Sequence, residues 1–292
     1  MPHHTESPPR KRARTGSVEN GGSMPPLSLS ILGVEPLDEF IKEIADWVHY
    51  QIQNAPPDVQ GKIEVEAKVG ILRDRSNQRL MLPILVESIL KPDWSEIRFE
   101  SNMSMQQHKH FNTRLNELKL SSSQPSFPAS PLGYSHLHLV DSFYPSDDNK
   151  NKIRVTRNEK TGEVVECMRK IRLGDLNVYS PKRAADWRIS VSLEVPVTHP
   201  IGSATHSRKK DRLSYSHEEF SIDLTQVTSS SSPTGAPELL HELEIEFARP
   251  DVLVAAAHRR GDPNLPELER SAFDELIRAF VNNARILVRN AE

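Results

Sequence analysis

The sequence is poor in cysteine, in long apolar runs and in net charge. Cys167 is the single cysteine among 292 residues, so a disulfide framework is excluded and an intracellular protein is expected. No apolar run approaches the ~20 residues that span a bilayer, and the N-terminus lacks the apolar core of a signal peptide, so we expect no membrane partner. The formal net charge is only -3, so any bound polyanion must be held by a local basic cluster.

Several common motifs of phosphate and metal chemistry are also missing. The sequence contains no Gly-rich loop of the GxxxxGK type and no HExxH, CxxC or GxSxG motif. Three histidines, His49, His108 and His110, have no metal-site spacing around them, and we interpret them as surface or cap residues. Any phosphate that the protein binds must therefore be held by side chains.

Residues 1–30 contain mainly Pro, Ser, Gly and charged residues without periodicity, which predicts a disordered tail before a folded domain at 31–292. The tail includes the basic run Arg10-Lys11-Arg12-Ala13-Arg14. Such a run is typical of a nuclear-import signal or a weak nucleic-acid contact, and equally of a plain solvated tail. If the run is an import signal, we expect the protein in the nucleus.

Two acidic stretches alternate between apolar and charged residues. In Ile63–Val69, the charged positions are Glu64, Glu66 and Lys68. The second stretch lies near the C-terminus, and its charged positions are Glu242, Glu244 and Glu246. Because successive side chains of a strand point to opposite faces, each stretch is predicted to be a strand with one apolar and one ionic face.

Other strands of the same type carry basic residues instead. The alternating segments are predicted at 136–141, 152–156, 164–173, 176–179, 188–195, 208–215 and 220–225. Their cations are Arg154, Lys170, Arg172, Arg208, Lys210 and Arg212. Helical periodicity predicts amphipathic helices at 36–52, 99–120, 252–259 and 265–289.

The charged faces are predicted to look inward. An antiparallel sheet with one solvated face is the alternative, and it would leave these charges without a role. However, a solvated face usually mixes both signs within each strand, whereas here acidic and basic residues segregate by strand. The amphipathic helices must also pack on something, and the apolar strand faces are the obvious surface. If helices cover the outside, the ionic faces line the interior of a closed barrel.

An interior of this kind has a definite chemistry. Clustered carboxylates without Cys or His favour Mg²⁺ or Mn²⁺. Arg and Lys at alternate strand positions favour a polyphosphate. A divalent ion that bridges carboxylates to a phosphate is the usual arrangement for phosphoryl chemistry, so the pattern predicts metal-dependent phosphoryl chemistry.

The ordered set of motifs resembles the fungal-type RNA 5′-triphosphatases, the beta subunits of the mRNA capping apparatus within the triphosphate tunnel metalloenzymes. The two acidic motifs are Ile-Glu-Val-Glu-Ala-Lys-Val-Gly and His-Glu-Leu-Glu-Ile-Glu, and similarity extends from about residue 36 to the C-terminus. Other matching segments are 152–156, 178–182, 188–197, 208–215 and 277–283. The resemblance implies an α+β fold, an eight-stranded antiparallel β-barrel flanked by helices, and removal of the γ-phosphate of triphosphate-ended RNA.

The resemblance also implies roles for individual residues. It makes Glu64, Glu66 and Glu246 direct metal ligands, with Glu242 and Glu244 completing the acidic cluster. It makes Arg154, Lys210 and Arg212 the γ-phosphate clamp, and Glu194 the carboxylate that orients or activates the attacking water. The further tunnel contacts and supporting residues are Lys170, Arg208, Lys68, Asp141, Asp223 and Thr225.

The chain departs from the family pattern in two places. It is shorter between Tyr215 and Ile222, and Ser221 stands where the pattern has a basic residue. It also lacks a Trp-Ala-Gln-Lys-Trp-like peptide, which relatives use to dock the guanylyltransferase. The resemblance implies that the mRNA guanylyltransferase is a pathway partner. Because the docking peptide is missing, recruitment by the phosphorylated RNA polymerase II tail is the alternative to direct docking. We also expect a homodimer, as in relatives.

Two rival functions remain open at the level of the sequence. One is a small-molecule tri- or polyphosphate hydrolase of the same superfamily. The other is a non-catalytic barrel that binds only RNA ends or polymerase. The five glutamates argue against the second, because a scaffold has no need to hold them together.

Overall fold

A computed structural model describes residues 27–33, 38–92, 94–146, 151–230 and 237–291. The chain divides into two units, Met1–Leu37 and Asp38–Glu292, and the second contains all the helices and strands given below. Most of the predicted tail, including the basic run at 10–14, lies outside the described residues. The same holds for residues 36–37 at the start of the first predicted helix and for residues 231–236 in the Ser-rich stretch.

The described part of the second unit contains five helices and ten strands. The helices are α1 Glu39–Gln53, α2 Met105–Ser122, α3 Pro250–Arg259, α4 Glu267–Arg270 and α5 Ala272–Arg289. The strands are β1 Lys62–Arg73, β2 Ser88–Ile89, β3 Arg98–Glu100, β4 Ser135–Pro145, β5 Lys152–Asn158, β6 Val164–Tyr179, β7 Asp186–Pro196, β8 His206–His217, β9 Phe220–Ser230 and β10 Glu238–Phe247. Within the described residues, no helix is long and apolar enough to cross a membrane.

Eight of the strands form a closed antiparallel barrel. They run in the order β10-β9-β8-β4-β5-β6-β7-β1, and pairing of β1 with β10 closes the ring. The two short strands lie outside the ring, with β3 paired to the end of β1 and β2 paired to β6. The predicted fold class, an eight-stranded antiparallel barrel flanked by helices, is confirmed.

The helices cover the barrel on the side of β1, β7, β9 and β10. In α5, the apolar residues recur at helical spacing, and Phe273, Ile277, Phe280 and Val281 are fully buried. The outward residues of β1, such as Val65, are buried beneath this layer. Helices cover the outer face of these strands, and the inner face looks into the closed ring. Both faces are therefore shielded, as expected for a tunnel with a covered outer wall.

Three predicted elements differ from the structure. The segment 99–120 was predicted as one helix, but residues 98–100 form β3 against the end of β1, and α2 begins only after Ser104. Ser104 and Gln107 form a reciprocal capping box, which fixes that start. The helix predicted at 265–289 is divided at Ser271, whose backbone N–H and hydroxyl both donate to the Glu267 carbonyl oxygen, at 3.0 and 2.7 Å. The two strands predicted at 164–173 and 176–179 are one strand, β6, with an irregularity between Arg172 and Gly174.

Candidate active site

An acidic wall of the tunnel is formed by β1 and β10, which come from opposite ends of the domain. Their register places Glu66 opposite Glu246 and Lys68 opposite Glu244. Glu64, Glu66, Lys68, Glu242, Glu244 and Glu246 all line one cavity of about 590 Å³. The two motifs therefore meet because the barrel closes between these strands, and all five predicted carboxylates lie together.

Lys68 lies within the acidic wall and is held by two of its carboxylates. Its Nζ is 2.6 Å from Glu244 Oε2 and 3.4 Å from Glu66 Oε2. Burial lowers the pKa of the lysine, but the charges of Glu244 and Glu66 outweigh that effect and raise it. Lys68 is thus a fixed counter-charge of the wall.

The carboxylates of the acidic wall are unequally neutralised. Burial and the charge of Glu66 raise the pKa of Glu64 to about 7. The pKa of Glu246 is also well above its ordinary value, because of burial and the charges of Glu244 and Asp223. For Glu244, burial acts in the same direction, but Lys68 and Arg212 outweigh it and lower the pKa. The wall therefore holds more negative charge than its own cations balance.

A basic wall faces it, formed mainly by β5 and β8. Arg154, Arg208, Lys210 and Arg212 line the same cavity as the carboxylates. Arg212 contacts both walls, since its Nη2 is 2.8 Å from Glu244 Oε1 and its Nη1 is 2.6 Å from Asp223 Oδ2. Three cations predicted as the phosphate clamp are thus brought together, with Arg208 beside them.

A layer of buried acceptors supports the basic wall from behind. Asp141 is fully buried and lies 2.6 Å from Lys210 Nζ and 3.5 Å from Arg208 Nη2. It also accepts a 2.8 Å hydrogen bond from the Thr156 hydroxyl. Burial raises its pKa, but the charge of Lys210 outweighs burial and the net direction is downward.

Asp223 and Thr225 support Arg212 in the same way. Thr225 Oγ1 accepts from Arg212 Nε at 3.1 Å. Neither residue lines the cavity, and neither does Asp141. These three predicted residues therefore position the cations and do not themselves line the cavity.

Lys170 and Glu194 connect the walls at the β6–β7 side. Lys170 forms an ion pair with Glu64, and its Nζ lies 3.4 Å from Glu66 Oε1. Glu194 Oε1 accepts from Arg154 Nη2 at 3.3 Å. Glu194 does not line the cavity, although it lies beside a clamp residue that does.

Sequence reasoning missed several residues that line the cavity. Arg172 was recognised on an ionic strand face and Arg188 begins the predicted strand 188–195, but neither was assigned to the site, and both line it. The other unassigned lining residues are Phe99, Ser101, Phe143, Lys152, Ser190, His206 and Ser229. Alternation within the strands could have identified Phe143 and Ser190. Phe99 could not have been found, because its segment was predicted to be helical.

A separate group of side chains that could hold a metal ion lies away from the tunnel. His136, His138 and Asp211 form a group on neighbouring positions of β4 and β8, with His136 Nε2 2.5 Å from Asp211 Oδ1. These residues alternate with the inward positions Asp141 and Lys210, so they lie on the outer face of the barrel. Within the described residues, the carboxylate cluster of the tunnel is thus separate from this histidine group.

The comparisons with known proteins agree with this geometry. The family model described as "mRNA capping enzyme, beta chain" matches residues 34–292. The mRNA-capping enzyme subunit beta of Schizosaccharomyces pombe is 35% identical over 284 residues, which cover 96% of this chain and 89% of the relative. The corresponding subunit of Cryptococcus neoformans is 34% identical over 274 residues, 91% of this chain and 65% of the relative.

A solved structure, that of the S. pombe Pct1 RNA triphosphatase, is similar with a TM-score of 0.81 and 33% identity. The match covers 92% of this chain and 99% of that one. The structure of the same enzyme in complex with the Spt5 CTD matches with a TM-score of 0.81 and 32% identity, over 91% of this chain and 99% of that one. The family resemblance seen in the motifs is therefore confirmed, and the chain belongs to the family of mRNA-capping enzyme beta chains.

Proposed function

We propose that this chain is a metal-dependent RNA 5′-triphosphatase, which removes the γ-phosphate of triphosphate-ended RNA and leaves a diphosphate end for cap formation. The triphosphatase activity follows from the capping-enzyme beta-chain family and agrees with the similarity to Pct1. The observation that carries the proposal is a single cavity in which an acidic wall faces a basic wall. A metal–phosphate complex needs both kinds of wall within reach.

The metal is Mg²⁺ or Mn²⁺, held by Glu64, Glu66 and Glu246, with Glu242 and Glu244 completing the cluster. The donors fit such an ion, because all of them are carboxylate oxygens and hard cations prefer oxygen ligands. The raised pKa values of Glu64 and Glu246 also indicate a deficit of positive charge at this wall. When bound, the ion would offset negative charge on the phosphates.

The basic wall supplies the phosphate contacts. Arg154, Lys210 and Arg212 project into the cavity and would hold the γ-phosphate through charge-assisted hydrogen bonds. The geometry of Lys210 and Arg212 is set in advance by the buried acceptors behind them, so little reorganisation of these two cations accompanies binding. Glu194, beside Arg154, would orient the attacking water.

The proposal is tested by the release of γ-phosphate from triphosphate-ended RNA in the presence of Mg²⁺ or Mn²⁺. Glu66→Ala should reduce release by at least ~100-fold, since it removes a ligand from the centre of the acidic wall. The matched control is Glu219→Ala, which removes a carboxylate that pairs with Arg249 at the protein surface. Activity that is untouched by Glu66→Ala would contradict the mechanism.

The same assay separates the rival functions. Hydrolysis of inorganic tripolyphosphate without hydrolysis of RNA would favour a small-molecule polyphosphate hydrolase. Binding of RNA ends without phosphate release under any metal condition would favour a non-catalytic barrel. Both outcomes would leave the fold and family unchanged, because those rest on the barrel and the matched sequence.

We further propose a nuclear protein that forms a homodimer and acts before an mRNA guanylyltransferase. The beta-subunit name of the relatives supports the guanylyltransferase as pathway partner. The structure of Pct1 in complex with the Spt5 CTD supports recruitment through a partner's tail, and we propose the phosphorylated tail of RNA polymerase II for this role. Light scattering on the purified chain tests the dimer. Imaging of a chain in which the basic residues at 10–14 are replaced by neutral ones tests nuclear import.

A further inference from the structure

One end of the tunnel carries aromatic side chains that triphosphate chemistry does not need. We name it the aromatic mouth, and its residues are Phe99, Phe143 and His206 with the cations Lys152, Arg188 and Arg208. All six line the cavity that contains the two charged walls. The three rings are half-buried, so part of each ring surface is open to that cavity.

Two of the rings form a stack on one side of the mouth. Phe143 on β4 and His206 on β8 are directly opposite each other in the strand register. Their ring centroids are 4.5 Å apart and their planes differ by 5°. The Arg208 guanidinium carbon lies 4.8 Å from the centroid of Phe143. This side of the mouth is thus a pair of parallel rings with a cation over Phe143, and the outer face of His206 is the ring surface left for a further stacking group.

The third ring reaches the mouth over a glycine. Phe99 is on β3, and its Cζ lies 2.7 Å from the position that a Cβ on Gly70 would occupy. Gly70 follows Glu64, Glu66 and Lys68 in the alternation of β1, so the space that it leaves faces the tunnel. The Arg188 guanidinium carbon lies 4.8 Å from the centroid of Phe99. A glycine at this point therefore makes room first for the Glu100 backbone carbonyl of β3 and then for the Phe99 ring, which together cover the end of the acidic wall.

The two aromatic sides belong to opposite parts of the barrel. In the ring of eight strands, β4 is the fourth strand from β1 in either direction. The Phe143–His206 pair and Phe99 thus approach the mouth from facing walls. Between them, a flat group could stack while the chain attached to it continues into the charged part of the tunnel.

His206 is suited to stacking in its neutral form. Burial and the positive charges of Lys152 and Arg208 lower its pKa, so the ring is uncharged near pH 7. Aromatic rings next to Arg and Lys are the combination that binds single-stranded nucleic acid without sequence preference.

We propose that the aromatic mouth binds the 5′-terminal nucleobase of the RNA by stacking on Phe143–His206 and Phe99, while Arg188, Arg208 and Lys152 contact the adjoining phosphates. The inference rests on the function proposed above and names the part of the substrate that gives the site its preference for RNA. Inorganic tripolyphosphate has no flat ring and gains nothing from the three aromatic side chains.

The test compares two substrates on the same variants. The full chain with Mg²⁺ is assayed on a triphosphate-ended RNA of about five nucleotides and on inorganic tripolyphosphate. Phe143→Leu and Phe99→Leu keep apolar bulk but remove the aromatic face. Each should raise KM for RNA about 5- to 100-fold, the range expected for loss of one stacking contact, and thereby lower the RNA preference. Phe143→Tyr, which retains an aromatic ring, should keep the RNA preference of the wild type.

The matched control is Tyr144→Leu. Tyr144 is the neighbour of Phe143 on β4 and contacts His199 edge-on at 5.7 Å, so its side chain lies on the other face of the strand. It should leave the RNA preference as in the wild type. An unchanged KM for RNA in Phe143→Leu, or an equal loss on both substrates, would overturn the proposal.

A binding measurement separates this inference from the proposed function. Fluorescence anisotropy with a 3′-labelled, triphosphate-ended RNA reports on the mouth without turnover. If the wild type hydrolyses neither substrate, the proposed function fails, and weaker RNA binding by Phe143→Leu than by Tyr144→Leu would still support the mouth. Equal RNA binding by these two variants would overturn it.

Discussion

The two charged walls of the tunnel differ in how their charges are balanced. On the basic wall, the protein supplies its own counter-charges, since Lys210 is paired with Asp141 and Arg212 with Asp223. On the acidic wall, Lys68 pairs with Glu244 and Lys170 with Glu64, but these cations neutralise only part of the cluster, and Glu64 keeps a pKa of about 7.

The two walls are therefore suited to ligands of opposite charge. A cation that is already paired from behind is held in place and can meet an anion from the front without being moved. A group of carboxylates with too few cations favours the arrival of another positive charge. The basic wall is therefore preorganised, whereas the acidic wall is completed only by a bound cation.

Loss of a carboxylate from the acidic wall should have the largest effect. Glu246→Ala should reduce phosphate release by at least ~100-fold, because it removes a proposed metal ligand. It should also raise the melting temperature of the metal-free chain, because a buried carboxylate with a raised pKa destabilises the folded state. Phosphate release and thermal unfolding with and without Mn²⁺ measure both effects. A lower melting temperature without metal would contradict the charge deficit.

Loss of a carboxylate behind the basic wall should act in the opposite direction on stability. Asp141→Asn leaves Lys210 buried without a charged partner and should lower the free energy of unfolding by about 3 kcal/mol. Urea unfolding of the metal-free chain measures this change. Combining it with Lys210→Met should restore part of the loss, because the unpaired cation is removed as well. Additive effects of the two substitutions would argue against the pairing.

Metal binding should weaken as the pH falls below 7. The Glu64 carboxylate must lose its proton to bind a cation, and its pKa is about 7, so affinity should fall up to about tenfold per pH unit below that value. Calorimetry of Mn²⁺ binding in buffers of different ionisation enthalpy should detect proton release near pH 6.5, and Glu64→Gln should release fewer protons.

Glu64 should also make the stability of the metal-free chain depend on pH. Because the folded-state pKa of Glu64 is above the unfolded value, its contribution to stability is present below the ordinary value of 4.5 and is lost as the pH rises to about 7. Glu64→Gln should flatten this dependence in unfolding experiments. An unchanged dependence would assign it to other groups.

The smallest effect is expected from an aspartate on the outer face of the same strand pair. Asp211 is 48% exposed and pairs with His136, so Asp211→Asn should change stability by less than about 0.5 kcal/mol and leave phosphate release unchanged. Compared with Asp141→Asn, it tests whether burial rather than charge type decides the outcome. A loss as large as that of Asp141→Asn would remove the distinction between the two faces.

Most of the site was predictable because strand alternation is local. The positions of Glu64 and Glu66, or of Lys210 and Arg212, on one face follow from a period of two residues. The cations and carboxylates therefore could be assigned to faces, and the motif resemblance assigned their roles. The position of Phe99 over Gly70 could not be predicted, because it depends on β3 folding back onto the end of β1.

The sequence by itself determined which side chains share a face, the barrel-type pattern and the family. Only the tertiary structure decided which partners meet. Lys68 and Glu244 are 176 residues apart, and they come within 2.6 Å because β1 pairs with β10 to close the ring. The balance of charge on each wall has the same origin, since the pKa of a carboxylate depends on burial and on neighbours that the chain brings in from distant segments.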